Sequence, residues 1–269
     1  RPAKAWSETL RCTGDYRTNL MSTYLRSTMA MKLSKNDLAI DMLELRPTSK
    51  EFERFYYLDY LLGVAKLNKL DVTSILDLHK FKTNFKGRNY VKSCLMKMSW
   101  YYTITGNDIK AKEYQTAISK QGYNLNEDDK QAVLFGNKEL PHKILLKARL
   151  LYDGGYTAQA SQVIGSIDPK KLHSRQLKAE YCYRRGRILE KDEKTDKALK
   201  LYEACSLYGI DSEEYYAAYA SIYLGDYYLK QGYKTEAKKF YERALTFKNN
   251  KEYTGSINQR AKTGLSRLK

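Results

Sequence analysis

The chain has no run of about 18 apolar residues, so nothing in it reads as a membrane-spanning helix. Only 4 prolines occur in 269 residues, and Pro47, Pro141 and Pro169 fall between helical stretches rather than inside them. No segment sustains an apolar–polar alternation, which removes the main signal for half-buried strands. The 3 histidines (His79, His142, His173) are scattered, and the 4 cysteines include no Cys-x-x-Cys pair, so the spacing argues against a zinc site. No phosphate-cradling Gly-x-x-x-x-Gly-Lys loop, His-Glu-x-x-His helix or Gly-x-Ser-x-Gly elbow is present, and neither a catalytic nor a cofactor-binding motif emerges. Acidic side chains are also in deficit, 31 against 48 Lys and Arg, for a net charge of +17. That excess is spread evenly, +6 over residues 1–90, +6 over 91–178 and +5 over 179–269. A nucleic-acid site normally gathers it on one stripe, so RNA binding is the weaker reading, and an affinity independent of salt would eliminate it.

What the chain has in place of these is a repeat. A small residue is followed twelve positions later by a second marker: Ser27 and Ala39, Gly63 and Ile75, Ser99 and Ala111, Ala148 and Ala160, Gly186 and Ala198, Gly225 and Ala237. Small side chains at both places let two antiparallel helices approach closely, and an aromatic four residues further on, Tyr202 or Tyr241, fills the space beside the contact. The second markers are 36, 36, 49, 38 and 39 residues apart. Ile75 in place of alanine predicts a wider separation in its hairpin. Gly106, Gly155 and Gly232 lie seven residues after the first marker, with Asn36 near that place in the first copy, and suit a left-handed reversal between the two helices. Glycine-rich Asp153-Gly154-Gly155-Tyr156 is therefore read as a turn.

The 49-residue spacing requires an insertion at 121–142. Glu127, Asp128 and Asp129 there would suit the first turn of a short extra helix, but the stretch is expected to be mainly a longer loop between repeats, with a flap beside the binding groove as the alternative. Residues 251–269 carry Ile257, Ala261, Leu265 and Leu268 on one stripe, with Gln259, Arg260, Lys262 and Arg267 facing elsewhere, as a terminal capping helix would. Residues 1–16 show no regular pattern and are expected to be irregular. The chain starts at Arg1, and further repeats are expected upstream of it. Cys182 and Cys205 come at neighbouring ends of one hairpin, so a disulfide in an oxidising compartment and free buried thiols both remain open. Adjacent Glu213 and Glu214 are expected on solvated faces.

The run Tyr223-Leu224-Gly225-Asp226-Tyr227-Tyr228, with Gly232, Ala237, Tyr241 and Ala244, resembles the tetratricopeptide repeat at nearly every signature position. The copies at Gly186, Ala148 and Ser99 depart from it, with Glu193 at the turn and Ile164 and Gln115 where the aromatic belongs. The resemblance covers residues 17–250 and implies an all-α fold, a right-handed solenoid of five to six helical hairpins. It also implies a groove lined by the first helix of each hairpin. Transferring that register yields the candidate partner-binding residues Tyr57, Tyr60, Val64, Met96, Trp100, Arg149, Tyr152, Tyr183, Arg187, Tyr219 and Asp226. Tyr, Trp and Arg are the residue types that dominate binding hot spots, although many of these tyrosines would serve equally as packing between repeats. The Lys and Asn pattern that grips chaperone tails is absent. Strings such as Phe85-Lys86-Gly87-Arg88-Asn89-Tyr90 and Ser256-Ile257-Asn258-Gln259-Arg260-Ala261 are similar to envelope-associated tetratricopeptide proteins of Bacteroidota, which implies an envelope location and no activity. The expected function is a non-catalytic scaffold that binds a protein or peptide in its groove. The alternatives are a structural subunit docking through its N-terminal face and, less favoured, an RNA-binding repeat.

Overall fold

The structure is a computed structural model that describes residues 2–12, 15, 17–48, 54–247 and 249–268. Every regular element among them is helical. In chain order these are α1 (Pro2–Cys12), α2 (Leu20–Lys32), α3 (Asn36–Glu44), α4 (Tyr57–Asn68), α5 (Ser74–Asn84), α6 (Val91–Thr105), α7 (Asp108–Lys120), α8 (Glu127–Gly136), α9 (Lys143–Asp153), α10 (Thr157–Gly165), α11 (Arg175–Lys191), α12 (Thr195–Tyr208), α13 (Tyr216–Lys230), α14 (Lys234–Thr246) and α15 (Thr254–Ser266). Among the described residues, one 3-10 turn, Pro169–Lys171, precedes α11. Each pair of sequence markers falls on two consecutive helices, and this is an α–α repeat fold. The chain forms two compact units, Arg1–Ala160 and Ser161–Lys269.

The turns inside the hairpins show the repeat most directly. The seventh residue after each first marker has a left-handed backbone in all six described copies. Gly106, Gly155 and Gly232 have φ of 87°, 86° and 85°, while Ser34, Leu70 and Glu193 have 59°, 61° and 61°. Ser34, rather than Asn36, takes this place in the first copy. Asn36 is buried and donates its Nδ2 to the carbonyl of Ala65 at 2.8 Å. A side chain in this backbone region costs roughly 1–2 kcal/mol, so three hairpins hold a conformation their sequence resists.

In the second unit, the hairpins α11/α12 and α13/α14 and the final helix α15 pack in succession. A Cβ on Gly186 would lie 2.6 Å from the Tyr202 ring, and one on Gly225 would lie 2.8 Å from Tyr241. Tyr241 is also approached by α15, where a Cβ on Gly264 would come within 2.4 Å of the same ring. Two glycines thus make the slot for one fully buried tyrosine. Ile257 and Ala261 of α15 are buried on the Ala218, Ile222 and Ala244 cluster.

The first unit departs from this regularity. A Cβ on Gly63 would lie 2.7 Å from Leu78 Cγ and 3.1 Å from its backbone nitrogen. Helices α4 and α5 therefore approach closely at Leu78, contrary to the wider spacing expected from Ile75, which sits half-buried beside the contact. Ser99 bonds across its hairpin, its hydroxyl donating to the Ala111 carbonyl at 2.8 Å. The insertion is a helix, α8, packed on α6 and α7. Helix α9 then lies against both α4 and α6. The Tyr156 hydroxyl at its turn donates to Asp37 at 2.7 Å. The segment expected to be irregular contains α1, which packs on α2 and in which Ala5, Trp6 and Thr9 are half-buried. Residues 1, 13, 14 and 16 of that segment lie outside the described residues.

Asp129 explains how the insertion is held. Its carboxylate is fully buried and accepts the amides of Tyr90 at 2.7 Å and Ser93 at 2.9 Å, together with Asn126 Nδ2 at 2.6 Å. The first turn of α6 has no capping side chain of its own, and Tyr90 has a φ of 61°. Asp129 supplies from α8 the acceptor that the helix start needs.

Candidate functional site

The eleven candidate groove positions divide by burial. In the first unit Tyr60, Met96 and Trp100 are core residues, at 4%, 5% and 4% exposure. The Tyr60 hydroxyl shares a 2.6 Å hydrogen bond with Ser93, and its ring meets Phe81 and Tyr90. Met96 and Trp100 belong to a cluster with Leu146 and Leu150 of α9. The expectation that these three line an open groove is corrected: α9 covers Met96 and Trp100, and Tyr60 is covered by Ser93, Phe81 and Tyr90. Tyr57, Val64, Arg149 and Tyr152 are half-buried. Tyr57 lies against Tyr90, with ring centroids 4.4 Å apart.

In the second unit the corresponding face remains in contact with solvent. Tyr183 is buried beneath it, edge-on to Tyr215 at 5.4 Å. Arg187 and Tyr219 are half-buried and Asp226 is exposed. Arg187 and Tyr219 meet at Tyr223, a residue the transferred register passes over. The Arg187 guanidinium stands 4.2 Å from the Tyr223 ring centroid, and that of Arg260 stands 5.2 Å from it and 5.5 Å from Tyr219. Arg260 donates to Asp226 at 2.9 Å, and Asp226 also accepts the Tyr241 hydroxyl at 2.7 Å. Arg187 donates to Glu190 at 2.9 Å, whose same oxygen accepts the Tyr202 hydroxyl at 2.8 Å. The Tyr219 hydroxyl donates to Ser256 of α15 at 3.0 Å.

Arg260 thus faces α13, contrary to its assignment to the outer side of α15. Its position four residues before Gly264, one turn from the Tyr241 contact, is the signal that could have placed it. Glu214 also departs from expectation: it is buried and accepts Gln176 Nε2 at 2.6 Å, while Glu213 pairs with Lys251 at 2.5 Å.

The arrangement suits recognition rather than covalent chemistry. Planar cations over tyrosine rings, each guanidinium oriented by a carboxylate, form a preordered polar and aromatic surface. Cys94, Cys182 and Cys205 are free buried thiols. Burial pushes the Cys94 thiol up to about 12 and that of Cys182 up to about 11, so neither offers a thiolate near neutrality. Cys205 is raised as well by burial, and its thiol donates to the Ala179 carbonyl at 3.3 Å. The side chain of Cys12 lies outside the described residues. Among the described residues, no cluster of His, Cys, Asp and Glu could hold a metal ion, and no helix is long and apolar enough to cross a membrane.

The fold defines a class, the α–α helical-repeat proteins. More particularly, residues 179–206 and 214–251 match the tetratricopeptide repeat family model. These segments contain most of α11 and α12 and all of α13 and α14, with Arg187, Tyr219, Tyr223 and Asp226 among them. Comparison with curated proteins returns no match.

Proposed function

We propose that the chain is a non-catalytic scaffold that captures a segment of a protein partner on the α11, α13 and α15 face of its second unit. The observation that carries this reading is the layered cluster of Arg187, Tyr223 and Arg260, with Tyr219 and Asp226 at its border. These side chains are already ordered by Glu190, Ser256 and Asp226, so a partner would pay little conformational entropy to engage them. Aromatic and arginine side chains with partial exposure are the types that carry most binding energy at protein interfaces.

Affinity capture with the whole chain, quantified by mass spectrometry, tests the reading. Arg187→Ala and Arg260→Ala should each reduce recovery of the bound partner at least about tenfold, a loss of about 1.4 kcal/mol. Lys239→Ala, an exposed residue on the outer side of α14, should leave recovery unchanged. Equal recovery by all variants would overturn this face as the binding site. Partner capture that instead depends on α1 and α2 would favour the structural-subunit alternative.

A further inference from the structure

We propose that the hydroxyls of Tyr202 and Tyr241 are positioning groups for the binding face of the second unit, each holding the carboxylate that aims one arginine at Tyr223. The Tyr202 ring sits against Gly186 and the Tyr241 ring against Gly225 and Gly264, and both tyrosines are buried. The Tyr202 hydroxyl donates to Glu190 Oε2 at 2.8 Å, and the same oxygen accepts Arg187 at 2.9 Å. The Tyr241 hydroxyl donates to Asp226 Oδ1 at 2.7 Å, and the other carboxylate oxygen accepts Arg260 at 2.9 Å. Two relays of one kind thus run from a core phenol through a surface carboxylate to a guanidinium. Both end on the ring of Tyr223, with guanidinium distances of 4.2 and 5.2 Å.

Exposure explains why the phenols matter. The side chains of Glu190 and Asp226 are 45% and 44% exposed. An ion pair so placed is weakened by water and by the rotamer freedom of both side chains, and alone it fixes little. A tyrosine wedged against glycine has lost that freedom. Its hydroxyl offers the carboxylate a stationary donor, and the carboxylate passes the constraint on to the arginine. Filling the slot does not require the hydroxyl, since a phenylalanine ring has the same outline. A carboxylate this exposed would replace the lost bond with water. The copy marked by Ala148 lacks the relay. Ile164 stands there in the register of Tyr202 and has no hydroxyl. Arg149, in the register of Arg187, stands 3.6 Å from Asp153, a longer separation than the 2.9 Å between Arg187 and Glu190.

The placement of the arginines is testable without a partner, and only its consequence for capture rests on this face being the binding site. Arginine Nε is labelled with nitrogen-15 in the whole chain, and the two signals are identified by their loss in Arg187→Lys and Arg260→Lys. Tyr202→Phe should lower the order parameter of Arg187 Nε into the flexible range, below about 0.6, with Arg260 less affected. Tyr241→Phe should do the reverse. Denaturant midpoints of both variants should stay near that of the unsubstituted chain. Glu190→Ala and Asp226→Ala, which leave the buried rings in place, should loosen Arg187 and Arg260 respectively. A purely structural role for the phenols would lower stability and leave the guanidinium groups as ordered as before. Arginines that stay ordered in the phenylalanine variants overturn the relay. Were a phenylalanine variant to unfold, ordered arginines in the alanine variants would overturn it instead. With either relay cut, recovery of the partner should fall about threefold, because binding must then order the arginine itself. Loosened arginines with undiminished recovery would uphold the relay and reject the binding face, whereas ordered arginines reject the relay whatever is recovered.

Discussion

The two units place the same residue types at the same repeat positions and use them differently. In the second unit the helices follow one another in register, and the face of α11 and α13 keeps Arg187, Tyr219, Tyr223 and Asp226 at the surface. In the first, α9 lies on both α4 and α6, and Tyr60, Met96 and Trp100 become core. A tyrosine or tryptophan at a groove position is thus a binding residue or a packing residue according to what the next element covers. The units also differ in how they fit their closest helix contacts. The second sets glycine against tyrosine, whereas the first uses Gly63 against Leu78 and a hydroxyl at Ser99.

Five substitutions sharpen or break this contrast, each read by denaturant unfolding and by hydrogen exchange resolved along the chain. Tyr241→Ala should have the largest effect, about 4 kcal/mol, because it empties a slot lined by two glycines. Its exchange protection should fall in α13, α14 and α15. A loss below about 1 kcal/mol would show that the slot collapses and that the glycine–tyrosine fit is not the second unit's main joint. Asp129→Ala comes next, at about 3 kcal/mol, since it strands two amides at the start of α6. Protection should be lost first in residues 90–95 of the first unit, and unchanged exchange there would refute Asp129 as the cap.

Gly155→Ala should cost about 2 kcal/mol and Gly232→Ala about 1, although both have the same backbone conformation. The first would place a Cβ 2.3 Å from the Ser34 carbonyl oxygen, while the second faces open space. Equal losses would show that backbone strain alone decides both turns. The smallest effect is a gain: Glu193→Gly should stabilise the second unit by about 0.5–1 kcal/mol by removing a side chain from a left-handed position. A loss of stability would mean that Glu193 makes a compensating contact.

Much of the architecture was legible from spacing. Paired small residues twelve apart located the hairpins, and Gly106, Gly155 and Gly232 marked their reversals, because a left-handed turn and a close helix contact each restrict residue type locally. Glu193 was placed at its turn by position alone, while Ser34 and Leu70 escaped notice because nothing in their identity announces a left-handed backbone. Asp129 was read for its effect on its own helix, whereas its carboxylate serves α6, more than thirty residues earlier in the chain. Arg260 was assigned outward from an apolar stripe, but a long side chain on the edge of that stripe can fold back over a neighbouring ring.

The amino-acid sequence by itself determined the repeating unit: helices of set length, their pairing, and the small residues where they touch. These depend on periodicity and local backbone preference, which neighbouring residues express without help from the rest of the chain. Only the tertiary structure decided which face of each helix stays open. That choice depends on where α8, α9 and α15 come to rest, and their burial follows from contacts between residues far apart in sequence.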